Sequence, residues 1–152
     1  MEQKNGVKKL SRQLLDTIQQ FNCYDRLTRS FGTDHVLFLS EIHLIDYIGS
    51  HRDCYISEIA RELQVTKGAI SQMVKKLERK GYLIKAVDTG NKTRMVVRLS
   101  AKGQIAFDGH CRYHNRLDRD LANALQDFTD EETAAVCQFL KRMEEQWKQH
   151  SD

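Results

Sequence analysis

The sequence of 152 residues has no proline and no apolar run long enough to cross a bilayer. Without proline, nothing inside the chain has to interrupt a long helix. Without a run of about eighteen apolar residues, no helix can span a membrane. The amino-terminal stretch is basic, but it lacks the apolar core and small-residue cleavage site of a secretory signal. We therefore expect a cytoplasmic protein that has no membrane partner.

Cysteine is present at only four positions, and none of them forms a CxxC pair. This spacing argues against a disulfide framework and against a zinc ribbon. We expect reduced and mostly buried thiols at Cys23, Cys54, Cys111 and Cys137. Catalytic signatures are missing too, since the sequence has no HExxH, no GxSxG and no phosphate-binding loop. We expect no enzymatic activity.

The net charge of +3 is unevenly distributed along the chain. Between Ile56 and Gly103, eleven basic residues stand against four acidic ones, so this stretch carries +7 and the remainder carries −4. Such asymmetry predicts that one part of the chain meets a polyanion while the rest packs on itself.

Hydrophobic periodicity and capping residues predict a mainly helical chain with one hairpin. The first three expected helices run over Gly6–Phe31, over Leu39–Ser50 with Ser40 as N-cap, and over a short stretch after Ser57. The other three run from the N-cap Thr66 to about Lys80, from after Ser100 to about Leu125, and onward from Thr129. Gly81 is expected to stop the fourth helix. Two strands, Tyr82–Val87 and Met95–Leu99, flank the turn cluster Asp88–Asn91.

The order of helix, tight turn, helix and hairpin is the plan of a winged helix-turn-helix. One face of the fourth helix is apolar and is expected to dock on the third: Ala69, Ile70, Met73, Val74 and Leu77. Its opposite face and the hairpin tip carry the candidate DNA contacts, which are Thr66, Lys67, Gly68, Ser71, Gln72, Lys75, Lys76, Arg79, Lys92 and Arg94. Polar groups near the start of the helix suit base edges, later lysines suit phosphates, and a basic hairpin tip suits a minor groove. The alternative is an ordinary amphipathic helix with a solvated face.

Four segments of this region resemble the DNA-binding core of MarR-type regulators: Ile56–Leu63, Val65–Gln72, Leu77–Leu83 and Leu99–Gly103. The resemblance implies a mainly α fold with a small β-hairpin wing, in a single domain over 1–152. It places the winged helix-turn-helix lobe at 38–100 and dimerisation helices at 1–31 and 101–150. It also implies a homodimeric regulator, usually a repressor, on a near-palindromic site in double-stranded DNA. The chain departs from the family at the wing tip, where Asn91-Lys92-Thr93-Arg94 replaces the usual Asp-Arg-Arg.

Histidines mark a second candidate site, for an effector. His110 and His114 are four residues apart and share one face of the fifth helix, as in helical metal sites. This pair resembles the histidine pair of zinc-responsive members of the family. The resemblance implies that Asp25 and His43 complete the site, so that three nitrogen ligands and one oxygen ligand surround zinc. Alternative or secondary ligands are Glu41, Cys111 and Asp108. A histidine pair on a solvated helix, with no metal, is the alternative to a metal site.

Other effectors and other functions stay open at this point. Cys23 beside Tyr24 is similar to thiol-oxidation switches of the family, and a cleft below the DNA-binding lobe would suit a small aromatic ligand. The rival functions are a zinc-dependent enzyme, which the absent catalytic motifs disfavour, and a protein-interaction module, which leaves the basic helix face unexplained.

Overall fold

The computed structural model describes residues 2–51, 53–88, 90 and 95–150, and the side chains of all of these except 2–4, 27 and 28. The described residues form six helices and one antiparallel hairpin: α1 (Glu2–Thr28), α2 (Leu39–Ser50), α3 (Ile56–Glu62), α4 (Lys67–Arg79), β1 (Leu83–Val87), β2 (Met95–Leu99), α5 (Ala101–Ala124) and α6 (Asp130–Gln149). The predicted mainly α fold with a small β-hairpin wing is confirmed. None of the helices within these residues is apolar over the length that crossing a bilayer would need.

The chain divides into two compact units, Met1–Tyr113 and His114–Asp152. The first unit holds α1 to α4, the hairpin and the first part of α5, and the second holds the rest of α5 and α6. The predicted lobe at 38–100 lies wholly within the first unit. The predicted pairing of 1–31 with 101–150 as a dimerisation region stays a prediction.

The core of the first unit is built from apolar side chains of α2, α3, α4 and the hairpin. Its members include Leu44, Ile45, Ile59, Ile70, Val74, Leu77, Tyr82, Leu83 and Val97. On α4 the buried positions are Ile70, Val74 and Leu77, which follow the helical repeat. Met73 is half-buried, whereas Ala69 is exposed, so the prediction that Ala69 docks on α3 is wrong. It precedes the buried stripe by one residue and is therefore turned about 100° away from it.

Both ends of α4 are fixed as the sequence predicts. The Thr66 hydroxyl accepts a hydrogen bond from the backbone N–H of Ala69 at 3.1 Å. At the other end Gly81 has a φ of 82°, in the left-handed region that favours glycine. Two backbone hydrogen bonds close the helix there in the pattern of a Schellman motif. The N–H of Gly81 donates to the carbonyl of Glu78 at 3.0 Å, and the N–H of Tyr82 donates to the carbonyl of Leu77 at 2.9 Å. The start and the end of the helix are therefore set by local chemistry.

The predicted N-cap of α2, Ser40, is wrong. The N-cap of α2 is Phe38, two residues before Ser40, and that of α3 is Tyr55. At α2 the backbone N–H of Phe38 donates to the carboxylate of Glu41 at 3.0 Å. A glutamate in the first turn therefore satisfies a backbone donor at the helix start without a capping hydroxyl.

The thiols differ from one another in exposure. Cys54 is buried and Cys111 half-buried, but Cys23 and Cys137 are exposed, so the expectation of mostly buried thiols is wrong for the latter two. Burial raises the pKa of Cys54 to about 11 and also raises the pKa of Cys111. Both thiols are therefore protonated and unreactive at neutral pH.

Candidate nucleic-acid interface

The outward face of α4 carries most of the predicted DNA contacts. Exposed side chains on it are Thr66, Lys67, Gln72, Lys75, Lys76 and Arg79, and Ser71 is half-buried. At Gly68, a Cβ would have only the Thr66 hydroxyl oxygen within 4 Å, at 3.9 Å. The start of the helix is therefore open to close approach by another surface, and apart from Lys67 the basic side chains follow the polar ones.

A tight turn sets the position of α4 against α3. Gln64 in this turn has a φ of 55°, which is uncommon for a residue other than glycine. The backbone N–H of Val65 donates to the carbonyl of Ala60 at 3.0 Å and closes the turn. Nothing in the sequence indicates the left-handed conformation at Gln64, because glutamine has no special preference for it.

Lys76 and Lys80 share one buried carboxylate. The Nζ of Lys76 lies 3.0 Å from Oε1 of Glu41 and 5.0 Å from the centre of the Phe38 ring. The Nζ of Lys80 lies 2.9 Å from Oε1 and 3.1 Å from Oε2 of the same residue. Glu41 is only 2% exposed. The sequence pattern does not indicate this cluster, because its members are close in space and distant along the chain.

Glu41 is charged at neutral pH despite its burial. Burial alone would raise the pKa of the carboxyl group. The N–H of Phe38 and the ammonium groups of Lys80 and Lys76 outweigh that effect and hold the pKa of Glu41 below its ordinary value. The carboxylate therefore binds the carboxyl-terminal half of α4 to the amino-terminal end of α2.

A second cation connects the end of α4 to α5 and to the segment that precedes α2. Nζ of Lys102 donates to the carbonyl of Lys80 at 2.8 Å and lies 4.5 Å from the centre of the Tyr82 ring. It also lies 2.5 Å from Oδ1 of Asp34, and this contact lowers the pKa of Asp34 to about 2. The orientation of α4 is thus tied to two other segments of the first unit.

The hairpin is anchored at its base by the segment that precedes α3. The N–H of Val97 donates to the carbonyl of Cys54 at 2.9 Å. Arg98 donates two hydrogen bonds to Oδ1 of Asp53, from Nη2 at 2.6 Å and from Nε at 3.0 Å. The Tyr55 hydroxyl donates a further hydrogen bond to the carboxylate of Asp88. Lys92 and Arg94 lie outside the described residues, so their predicted contacts with DNA stay predictions.

The structure brings together two of the four predicted metal ligands, His43 on α2 and His110 on α5. Their ring centres are 6.4 Å apart. His110 is 6% exposed, and its Nδ1 lies 3.2 Å from Oδ1 of Asp46. The carboxylate of Asp46 is therefore placed to orient the buried ring.

The other two predicted ligands are placed differently. Asp25 forms an ion pair with Arg29, one turn further along. His114 belongs to the second unit. Among the described residues, no three histidine, cysteine, aspartate or glutamate side chains are close enough together to hold a metal ion. The four-ligand set stays a prediction.

Comparison with known proteins identifies the family of the helix-turn-helix segment. The sequence profile of the MarR family matches residues 38–92, from the N-cap of α2 into the hairpin. The HTH-type transcriptional regulator PchR of Bacillus subtilis is 30% identical over 105 residues, which are 69% of this chain and 62% of PchR. The helix-turn-helix segment of this chain, residues 38–92, is of the MarR type. The aligned part covers less than two thirds of PchR, whose further residues have no counterpart in the match.

Solved structures share the fold of this chain. Streptococcus pneumoniae FabT, solved in complex with DNA, superposes with a TM-score of 0.66 at 22% identity, over 94% of this chain and 98% of FabT. The C30AH42A mutant of Lactococcus lactis ZitR superposes with a TM-score of 0.76 at 20% identity, over 93% of this chain and 97% of ZitR. At these identities the likeness shows the fold alone.

Proposed function

We propose that this chain is a MarR-family transcriptional regulator that binds double-stranded DNA with the outward face of α4. The observation that carries the proposal is the set of basic side chains on that face. Within the described part of the chain, Lys67, Lys75 and Arg79 are exposed and form no ion pair, so they are available to phosphates. The helix-turn-helix name of PchR and the DNA complex of FabT support the same function.

We propose further that the regulator acts as a homodimer. In the first unit, α1 exposes large apolar side chains at Val7, Leu10, Leu15 and Phe21. In the second unit, Leu121, Leu140 and Trp147 are each about half exposed. Apolar surface of this kind is normally covered by a partner. A two-fold pair would present two copies of α4 to successive major grooves of a near-palindromic site, and occupancy of that site would repress transcription.

A salt titration tests the DNA-binding proposal. Affinity for a duplex of random sequence should fall steeply with salt, by about 0.9 in logarithmic slope for each phosphate contacted. Lys75→Ala should weaken binding to all sequences and reduce the slope by roughly 1.8 for a dimer. Gln72→Ala, on the same face, should instead change the sequence preference and leave the slope as it is. Affinity that does not depend on salt would overturn the proposal.

We also propose zinc as the effector. The support is the closeness of His43 to His110 and the chemistry of the donors. The two rings would hold the ion through nitrogen, and Asp25 and His114 are the further ligands of the proposed set. When bound, zinc supplies a cross-link between helices α1, α2 and α5. Such a cross-link would favour one arrangement of the regulator over another and thereby change its affinity for DNA.

Zinc titration of metal-free protein tests the effector. We expect stoichiometric binding, a change in DNA affinity, and loss of at least about 10-fold in zinc affinity in His43→Ala. The matched control is His51→Ala, at the end of the same helix, whose Nδ1 lies 2.7 Å from the carbonyl of Tyr47. DNA binding that ignores zinc would remove zinc as effector and leave the DNA-binding proposal standing. Small aromatic ligands and oxidants would then be titrated in the same assay.

A further inference from the structure

Two neighbouring lysines of α4 have the same charge and different surroundings. Lys75 and Lys76 are both exposed. Lys75 forms no ion pair with any described residue, whereas the Nζ of Lys76 lies 3.0 Å from the buried carboxylate of Glu41. The charge of Lys75 is therefore available to an external anion at once, and that of Lys76 already has an internal partner.

Of the partners of Glu41, Lys76 is the one that can leave. Lys80 is 20% exposed at its side chain and contacts both carboxylate oxygens, and the N–H of Phe38 donates to one of them. Lys76 is 46% exposed and contacts one oxygen only. If Lys76 turned outward, the carboxylate would keep the backbone donor and one ammonium group. The more exposed cation thus lies between a fixed internal carboxylate and the solvent.

A DNA phosphate placed against α4 would offer Lys76 the same kind of partner as Glu41 does. Both are oxyanions, and an ammonium group with three donors can donate to either. The carboxylate is present before DNA arrives and already compensates part of the charge of Lys76, so a phosphate that approaches Lys76 competes with it. This competition lowers the number of counterions that α4 releases on binding.

We infer that Glu41 competes with DNA phosphate for Lys76 and so limits the sequence-independent part of DNA binding. The inference rests on the proposed DNA-binding function and adds a positioning residue that itself touches no DNA. Removing the carboxylate should strengthen non-specific binding, although Glu41 lies behind the helix that reads DNA. A purely structural role for Glu41 predicts the opposite direction.

The test is a double-mutant cycle in the full chain, with random-sequence duplex as probe and the salt slope as readout. Glu41→Gln should bind on the order of 10-fold more tightly at low salt, with a slope steeper by roughly 1.8 for a dimer. Lys76→Met should cause a smaller loss than Lys75→Met in the native background. In the Glu41→Gln background the two lysine variants should cause equal losses.

Each other outcome has a distinct meaning. A Glu41→Gln slope that is unchanged or shallower, or a Lys76→Met effect that is equal in both backgrounds, would overturn the inference and leave DNA binding intact. Circular dichroism would establish that Glu41→Gln is folded. If Glu41→Gln is not folded, the two lysine variants in the native background decide between the outcomes. Equal losses of DNA affinity from Lys75→Met and Lys76→Met overturn the inference, and a smaller loss from Lys76→Met supports it. A wild-type chain that does not bind DNA overturns the proposed function and the inference together.

Discussion

Replacing Gly103 by alanine is expected to destabilise the first unit by on the order of 3 kcal/mol. A Cβ at this position would lie 2.1 Å from the carbonyl oxygen of Tyr82 and 3.1 Å from its carbonyl carbon. Both are backbone atoms, so no side chain can rotate to relieve the overlap. The same carbonyl accepts a hydrogen bond from the N–H of Ser100 at 2.9 Å, and moving it would break that bond. The start of α5 therefore approaches the hairpin as closely as only glycine allows.

Chemical denaturation followed by circular dichroism measures the effect. The matched control is Gly6→Ala in α1, where a Cβ would meet no atom within 4 Å. In a helix that substitution should be neutral or stabilising, by up to about 1 kcal/mol. If Gly103→Ala unfolded at the same denaturant concentration as the wild type, the close approach between α5 and Tyr82 would be refuted.

The parts of the fold that the sequence predicts are those set by short-range chemistry. The apolar stripe of α4, its cap at Thr66 and its stop at Gly81 each depend on residues within about one or two turns, and all three are confirmed except for Ala69 in the stripe. The N-cap predicted for α2 is wrong for a related reason. Serine and glutamate compete for the same backbone donors in the first turn, and a pattern that counts residue types does not decide between them.

The parts that the sequence did not predict depend on contacts between distant residues. Glu41 and Lys80 are 39 positions apart, and nothing in the pattern of either helix indicates that they meet. The histidines have one feature that the sequence predicts and one that it does not. Helical spacing placed His110 and His114 on one face, but the contact of His110 with Asp46 spans 64 positions and had no signal in the sequence. Long-range pairing of polar groups follows from the packing of the core, which local periodicity does not determine.

Replacing Lys80 by methionine is expected to lower the free energy of unfolding by on the order of 3 kcal/mol at neutral pH. The variant keeps the aliphatic stem and removes the ammonium group that contacts both oxygens of Glu41. The carboxylate is 2% exposed and would retain the N–H of Phe38 and the half-exposed Lys76. The backbone carbonyl that Lys102 uses is untouched, so the change isolates the side-chain charge.

The dependence of this loss on pH identifies Glu41 as its cause. In the native chain the pKa of Glu41 lies below its ordinary value of 4.5, so its stabilising contribution is present above that value and disappears as pH falls through the folded pKa. Without the Lys80 ammonium group, fewer contacts offset the effect of burial, so the pKa of Glu41 rises. The difference between variant and wild type should therefore shrink below about pH 4.5, where protonation removes the unpaired charge.

The matched control is Lys85→Met. Lys85 contacts Glu78 at 2.8 Å, but the two side chains are 28% and 38% exposed. Water screens that pair, so its loss should cost less than about 1 kcal/mol. Denaturant titrations of both variants at neutral and acidic pH separate the two cases. A Lys80→Met loss no larger than that of Lys85→Met, or one that stays constant down to acidic pH, would contradict the account of Glu41 as a buried charge held by Lys80.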